Sequence, residues 1–131
     1  MATNFSAEIK NLRLVDTSTN FTADTVKNGG AFDVLADIEA GSGINSVANE
    51  DQLYVTVRNL SKFTVLATAT PTRVLAPSGN ARTETLKVSI TAWTGAADPG
   101  DVIDAVASYR FEAGIYNAHS SAQSDTSIVT A

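Results

Sequence analysis

Ala31-Phe32-Asp33-Val34-Leu35-Ala36-Asp37-Ile38-Glu39-Ala40 is the stretch that decides the fold. Phe32, Val34, Ala36 and Ile38 share one parity, while the carboxylates Asp33, Asp37 and Glu39 share the other. Wound into a helix, the stretch would scatter those carboxylates around its circumference. Extended as a strand, it puts them on one face and leaves an apolar face opposite. Leu35 is the exception, an apolar side chain on the parity that meets water.

The same period of two recurs along the chain. Leu53, Val55 and Val57 alternate with Tyr54, Thr56 and Arg58 between Gln52 and Asn59. Leu86, Val88, Ile90 and Ala92 alternate with Lys87, Ser89, Thr91 and Trp93. From Val102 to Ala113, the inward parity holds Ile103, Ala105, Ala107, Tyr109 and Phe111. Weaker strands are predicted over Phe5–Leu14, Phe63–Ala69, Thr72–Ala76 and Ser127–Thr130. In the first of these the apolar parity changes around Lys10-Asn11, the mark of a bulge or of a strand changing sheets. In the second, Leu66 breaks the pattern as Leu35 does, lying between Thr64 and Thr68.

Turn chemistry separates the runs at Asn28-Gly29-Gly30, Gly41-Ser42-Gly43, Pro77-Ser78-Gly79-Asn80 and Asp98-Pro99-Gly100-Asp101. No long segment carries a 3.6-residue apolar period, so no long helix is predicted. The reading is an all-β, antiparallel sandwich of seven or eight strands. It occupies residues 1–131 as a single domain, as a chain of this length allows. Alanines at 7, 36, 67, 69, 105 and 107 on the inward set let two sheets approach around Phe32, Phe63, Tyr109 and Phe111. That favours a filled sandwich over a barrel with a ligand cavity.

Asp98-Pro99-Gly100-Asp101-Val102-Ile103, running into a long alternating strand, resembles bacterial immunoglobulin-like and fibronectin-III-like domains. Tyr109, inward on that strand, is similar to the tyrosine of the penultimate strand in such folds. The resemblance implies an immunoglobulin-like sandwich and roles in adhesion, spacing or assembly, and it carries no catalytic residue. The Cys–Trp–Cys core of true immunoglobulin domains is missing, because the chain has no cysteine.

Composition narrows the function classes. The net charge is −5 and the nine Lys and Arg are scattered, which argues against phosphate-driven nucleic-acid binding and a polybasic membrane patch. Without cysteine there are no disulfides, thiolate metal sites or cysteine nucleophiles. Met1-Ala2-Thr3-Asn4-Phe5 has neither a basic nor an apolar leader region, and no run approaches the ~18 apolar residues of a membrane span, so the compartment is left open. Asn4-Phe5-Ser6, Asn20-Phe21-Thr22 and Asn59-Leu60-Ser61 fit the glycosylation pattern but are expected in any chain this rich in Asn, Ser and Thr.

The candidate sites are few. His119, the one histidine, sits in His119-Ser120-Ser121-Ala122-Gln123-Ser124-Asp125, read as a polar surface loop without a nucleophile elbow. Asp98, Asp101 and Asp104, with Glu50-Asp51, offer oxygen ligands for calcium at a spacing that matches no known calcium loop. Turn formation accounts for Asp98 and Asp101, and outward parity for Asp104. Tyr54, Trp93 and Tyr116 are aromatics off the inward parity, suited to a subunit interface or to stacking on sugar rings. With Leu35 and Leu66 they form a possible contact patch if their strands are neighbours. The expected function is therefore a non-enzymatic structural or interaction protein without cofactor. It would assemble with itself or a protein partner through a sheet face or edge, with a carbohydrate-binding module built on Trp93 and Tyr116 as the alternative.

Overall fold

A computed structural model describes residues 4–17, 19–91, 93 and 97–131. Ala92 and the first three residues, both used in the sequence reading, lie outside them. Among the described residues the order is β1 (Ala7–Asp16), β2 (Thr25–Lys27), β3 (Phe32–Ala40), α1 (Ser42–Asn45), β4 (Glu50–Asn59), β5 (Thr64–Ala69), β6 (Thr72–Val74), β7 (Arg82–Ile90), β8 (Val102–Ala113), β9 (Tyr116–Gln123) and β10 (Ser127–Thr130).

Two sheets result. One is β1-β3-β7, antiparallel throughout. The other has β4 and β8 at its centre, flanked by β5 and β6 on one side and by β9, β10 and β2 on the other. β5 and β6 lie in line along β4, parted at Pro71, and β9 and β10 lie in line along β8. The sequence predicts seven or eight strands; the structure has ten among the described residues, the additions being β2 and β9. The two sheets, dominated by antiparallel pairing, make an all-β sandwich. β2 alone departs from antiparallel pairing, running parallel to β10.

One apolar core draws on both sheets. Phe32, Val34, Ala36, Ile38 and Ala40 of β3 face Leu53, Val55 and Val57 of β4 and Ile103, Ala105, Ala107, Tyr109 and Phe111 of β8. The parity change in β1 is a bulge: the register with β3 shifts between Ile9 and Asn11, which lets both Ile9 and Leu12 point inward.

Two expectations are corrected. The run His119–Asp125, expected as a loop, belongs as far as Gln123 to strand β9, which pairs with β8 from Tyr116 to Gln123. Its inward positions, Ala118, Ser120 and Ala122, are too small and polar to raise an apolar alternation. Phe63 does not enter the core. β5 starts one residue later, and Phe63 stands in the preceding turn, 93% exposed, at a φ of 56°.

Candidate functional site

The proposed contact patch does not assemble on a sheet face. Leu35 is only 2% exposed. It lies on the centre strand of its sheet, in register with Arg13 on β1 and Lys87 on β7. Two long aliphatic stems beside a leucine suffice to keep water off it. Trp93 is buried too, 3% exposed, with its indole N–H donating to the Gly30 carbonyl at 2.8 Å and its ring edge-on to Phe32. β7 ends at Ile90, so counting parity on to Trp93 runs past the strand. With Trp93 inside, the sugar platform it was to share with Tyr116 does not exist. Leu66 is half-buried against the core at the point where the β4–β5 register shifts. Tyr54 and Tyr116 remain at the surface.

The acidic candidates are held by cations and amides. Asp98 and Asp101 both meet the Lys62 ammonium, Asp101 at 3.5 Å. Asp101 also accepts from the Asn59 amide at 2.8 Å and the Asp98 N–H at 2.9 Å, and the Asn59 bond leads in holding its carboxyl below the usual range. Asp104 does sit on the outer face, yet it is fully buried there. Arg58 meets both its oxygens, at 3.0 and 2.8 Å, and Gln123 covers it at 2.8 Å. Glu50 pairs with Arg110 at 3.3 Å. Among the described residues no three His, Cys, Asp or Glu side chains come together as a metal site. His119 is exposed on β9, opposite Arg110.

Asp51, read from the sequence as half of an acidic pair, anchors a buried network instead. It shares the inward parity of Leu53 and accepts from Arg73 at 2.9 and 2.6 Å and from the Tyr109 hydroxyl at 2.6 Å. Arg73 reaches on to Glu84, and Arg82 meets Glu84 at 2.8 Å and Asn45 at 2.8 Å. Burial, then the bond to Asp51, raises the Tyr109 pKa, while Asp51 raises that of Arg73. The network ties β4, β6 and β8 to β7 and α1. Its one sequence signal was a carboxylate on an inward parity.

The exposed large apolar side chains fall into a different pattern. Phe5, Val47, Val74, Ile115 and Tyr116 lie at the end of the sandwich where β8 turns into β9, with Val74 and Ile115 each 90% exposed. Phe21, Phe63, Val65 and Ile128 lie at the opposite end, where β4 turns into β5 and β8 begins. Among the described residues of this kind that lie on strands, Val65, Val74, Tyr116 and Ile128 stand at or next to a strand end, and Tyr54 is at mid-strand. The ring of Phe5 packs against Tyr116 at 5.3 Å between centroids.

Tyr54 borders a shallow trough of about 470 Å³ on the outer face of the larger sheet. The register sets Tyr54, Ser108 and Ser121 in one row, and Thr56, Val106 and Gln123 in the next. Small side chains on β8 and β9 make the floor.

No family model and no curated protein sequence matches the chain. Three solved structures show a partial likeness to it, each at a TM-score under 0.5. Spo0M, a sporulation control protein of Bacillus subtilis, is 14% identical over 96% of this chain and 50% of its own, with a TM-score of 0.48. The chain thus spans half the length of Spo0M. The CooA pilin subunit of enterotoxigenic Escherichia coli is 15% identical over 92% of this chain and 97% of its own, with a TM-score of 0.41. A CARDB domain from Pyrococcus furiosus, solved in complex with di-metal ions, is 12% identical over 92% of this chain and 86% of its own, at 0.38. No functional residue is carried over from these proteins.

Proposed function

We propose that this chain is a structural, non-catalytic building block that joins copies of itself end to end. The carrying observation is the placement of its exposed large apolar side chains, which among the described residues gather at or beyond strand ends at the two ends of the sandwich, Tyr54 at mid-strand excepted. Fully burying one aliphatic or aromatic side chain is worth about 1.5–3 kcal/mol. A few of them at each end supply a weak, reversible joint. The two ends differ in residues and shape, so the joint is heterologous and does not close into a dimer.

The sheet edges support this choice, because they are blunted. β7 carries Lys87 outward and Glu84 inward, the latter engaged by Arg73 and Arg82. The edge of the larger sheet that faces β7 is broken at Pro71 between β5 and β6. Inward charges and proline on edges oppose pairing with another chain. Light scattering over a concentration series tests the proposal: mass should climb past that of a dimer without a plateau. A clean monomer at ~500 µM, beyond the range of most weak interfaces, overturns it.

The Tyr54 trough favours a second reading, the binding of a neutral, polyhydroxylated ligand such as a pyranose. Its volume falls within the ~300–1,000 Å³ of small-molecule sites, and an aromatic face beside serine and threonine hydroxyls suits a sugar ring. A glycan-array signal removed by Tyr54→Ala, with the oligomeric state unchanged, would promote this reading over the first.

A further inference from the structure

The turn Asn28-Gly29-Gly30, between β2 and β3, carries chemistry beyond its shape. The Gly30 N–H donates to the Lys27 carbonyl at 2.8 Å and closes the turn. Gly29, third in it, has a φ of 75°, and a Cβ there would lie 3.4 Å from the Trp93 carbonyl oxygen. That left-handed φ calls for glycine after Asn28. Of the chain's asparagines, Asn28 alone precedes a glycine.

Asparagine is a thermally labile residue, and the residue after it sets how labile. Attack by the next backbone nitrogen on the side-chain carbonyl carbon closes a five-membered imide. A side chain on that next residue hinders the approach, and glycine has none. Asn28 and Gly29 are both exposed, and among the described residues no group accepts from the Gly29 N–H. The nitrogen therefore stands open to water and can yield its proton to hydroxide. The Asn28 amide is held by one bond, donated to the Ala97 carbonyl at 3.1 Å. Local opening of an exposed turn releases a bond of this kind.

We propose that Asn28 is a site of spontaneous deamidation and that Trp93 senses the product. The Gly29 nitrogen bonds to the Asn28 Cγ and gives up its proton. The Cγ–Nδ2 bond breaks, and that nitrogen leaves as ammonia. Water then opens the imide at either carbonyl. One opening breaks the new bond from Cγ to nitrogen and leaves aspartate. The other breaks the original peptide bond and leaves isoaspartate, with the chain running through the side chain. The sum is asparagine and water to acid and ammonia, with no oxidation or reduction.

The isoaspartate branch adds a methylene to the main chain inside the turn that the Lys27–Gly30 bond closes. The Gly30 carbonyl, which accepts the Trp93 indole N–H at 2.8 Å, moves with it. Trp93 is buried with its ring edge-on to Phe32. Losing its acceptor leaves an unpaired indole N–H and draws the ring toward water. The aspartate branch keeps the main-chain length and leaves Gly30 in place. The change runs one way, so it distinguishes old copies of the chain from new ones.

The test is incubation of the full chain in mildly alkaline buffer over several days, followed by peptide mapping. The Asn28 peptide should gain about 1 Da and split into aspartate and isoaspartate forms. Asn28→Gln, which would have to close a six-membered ring, should gain nothing over the same time. Tryptophan emission, which is Trp93's alone because the chain has one tryptophan, should shift to longer wavelength in proportion to isoaspartate content. Asn28→Asp, made directly, should emit as the fresh wild-type chain does. A wild-type chain that gains no mass at Asn28, or gains it no faster than Asn28→Gln, overturns the site. Isoaspartate at position 28 with unchanged emission overturns the link to Trp93.

Discussion

The sandwich is closed along its two long sides by opposite chemistry. On one side β1 runs beside β9, and the Ile9 N–H donates to the Ser120 hydroxyl at 3.1 Å, next to the bulge in β1. On the other side β6 faces β7 through Arg73, Glu84 and Arg82, with Asp51 buried behind them. The first seam uses a neutral bond between backbone and side chain. The second places two guanidinium groups and two carboxylates where β6 meets β7. A neutral hydrogen bond contributes about 1 kcal/mol and is indifferent to pH. An ion network at a partly buried seam holds more strongly, yet fails badly if one member is lost. The ionic seam is therefore where the monomer should be easiest to break.

Asp51→Ala gives the largest effect. It leaves the Arg73 guanidinium and the Tyr109 hydroxyl without their shared acceptor, and removing one partner of a buried pair costs about 3–5 kcal/mol. Urea denaturation should show that loss as a lower midpoint at unchanged slope. A change under about 1 kcal/mol would mean that water replaces the carboxylate and that the seam is not closed.

Acid should act on the same seam with a smaller effect. Burial alone would raise the Glu84 pKa, but hydrogen bonds from Arg73 and Arg82 outweigh it and hold the carboxyl below its ordinary value. A depressed folded-state pKa contributes stability that is complete above the unfolded value, near ~4.3, and is lost as pH falls through the folded one. The melting temperature of the wild-type chain should therefore fall on acidification below about pH 4.5, and more steeply than that of Glu84→Gln. Parallel curves for the two proteins would place the acid sensitivity elsewhere, with Glu8, Asp37 and Asp101 the other carboxyls of lowered pKa.

The contrast between the seams also explains what the sequence could disclose. Strands with one buried face, β3, β4 and β8, announce themselves because water imposes alternation on them. The bulge in β1 was legible for the same reason, as a change of parity. β9 was not, because an edge strand beside β8 buries only alanine and serine and its code is polar. Phe63 and Trp93 were misplaced by extending a parity one residue before β5 and three residues past β7. Leu35 was misplaced because it sits on the centre strand of its sheet, between Arg13 and Lys87 in register on two other strands, which its own segment does not disclose. The ion network and the apolar ends depend on residues far apart in sequence, such as Asp51 with Arg73 and Phe5 with Tyr116, and no local pattern encodes them.

The smallest effect belongs to the neutral seam. Ser120→Ala removes the hydroxyl that accepts from the Ile9 N–H while keeping the small inward side chain that β9 requires. The N–H then stands at the bulge, where the register between β1 and β3 has shifted and the backbone has no regular ladder to fall back on. A loss of about 1 kcal/mol is expected. It should be the same at pH 4 and pH 7, because neither member of the bond titrates in that range. Denaturation midpoints of Ser120→Ala and Glu84→Gln, each measured at both pH values, separate the two chemistries directly. A pH-dependent loss in Ser120→Ala would show that the two seams open together, and the distinction between them would then fail.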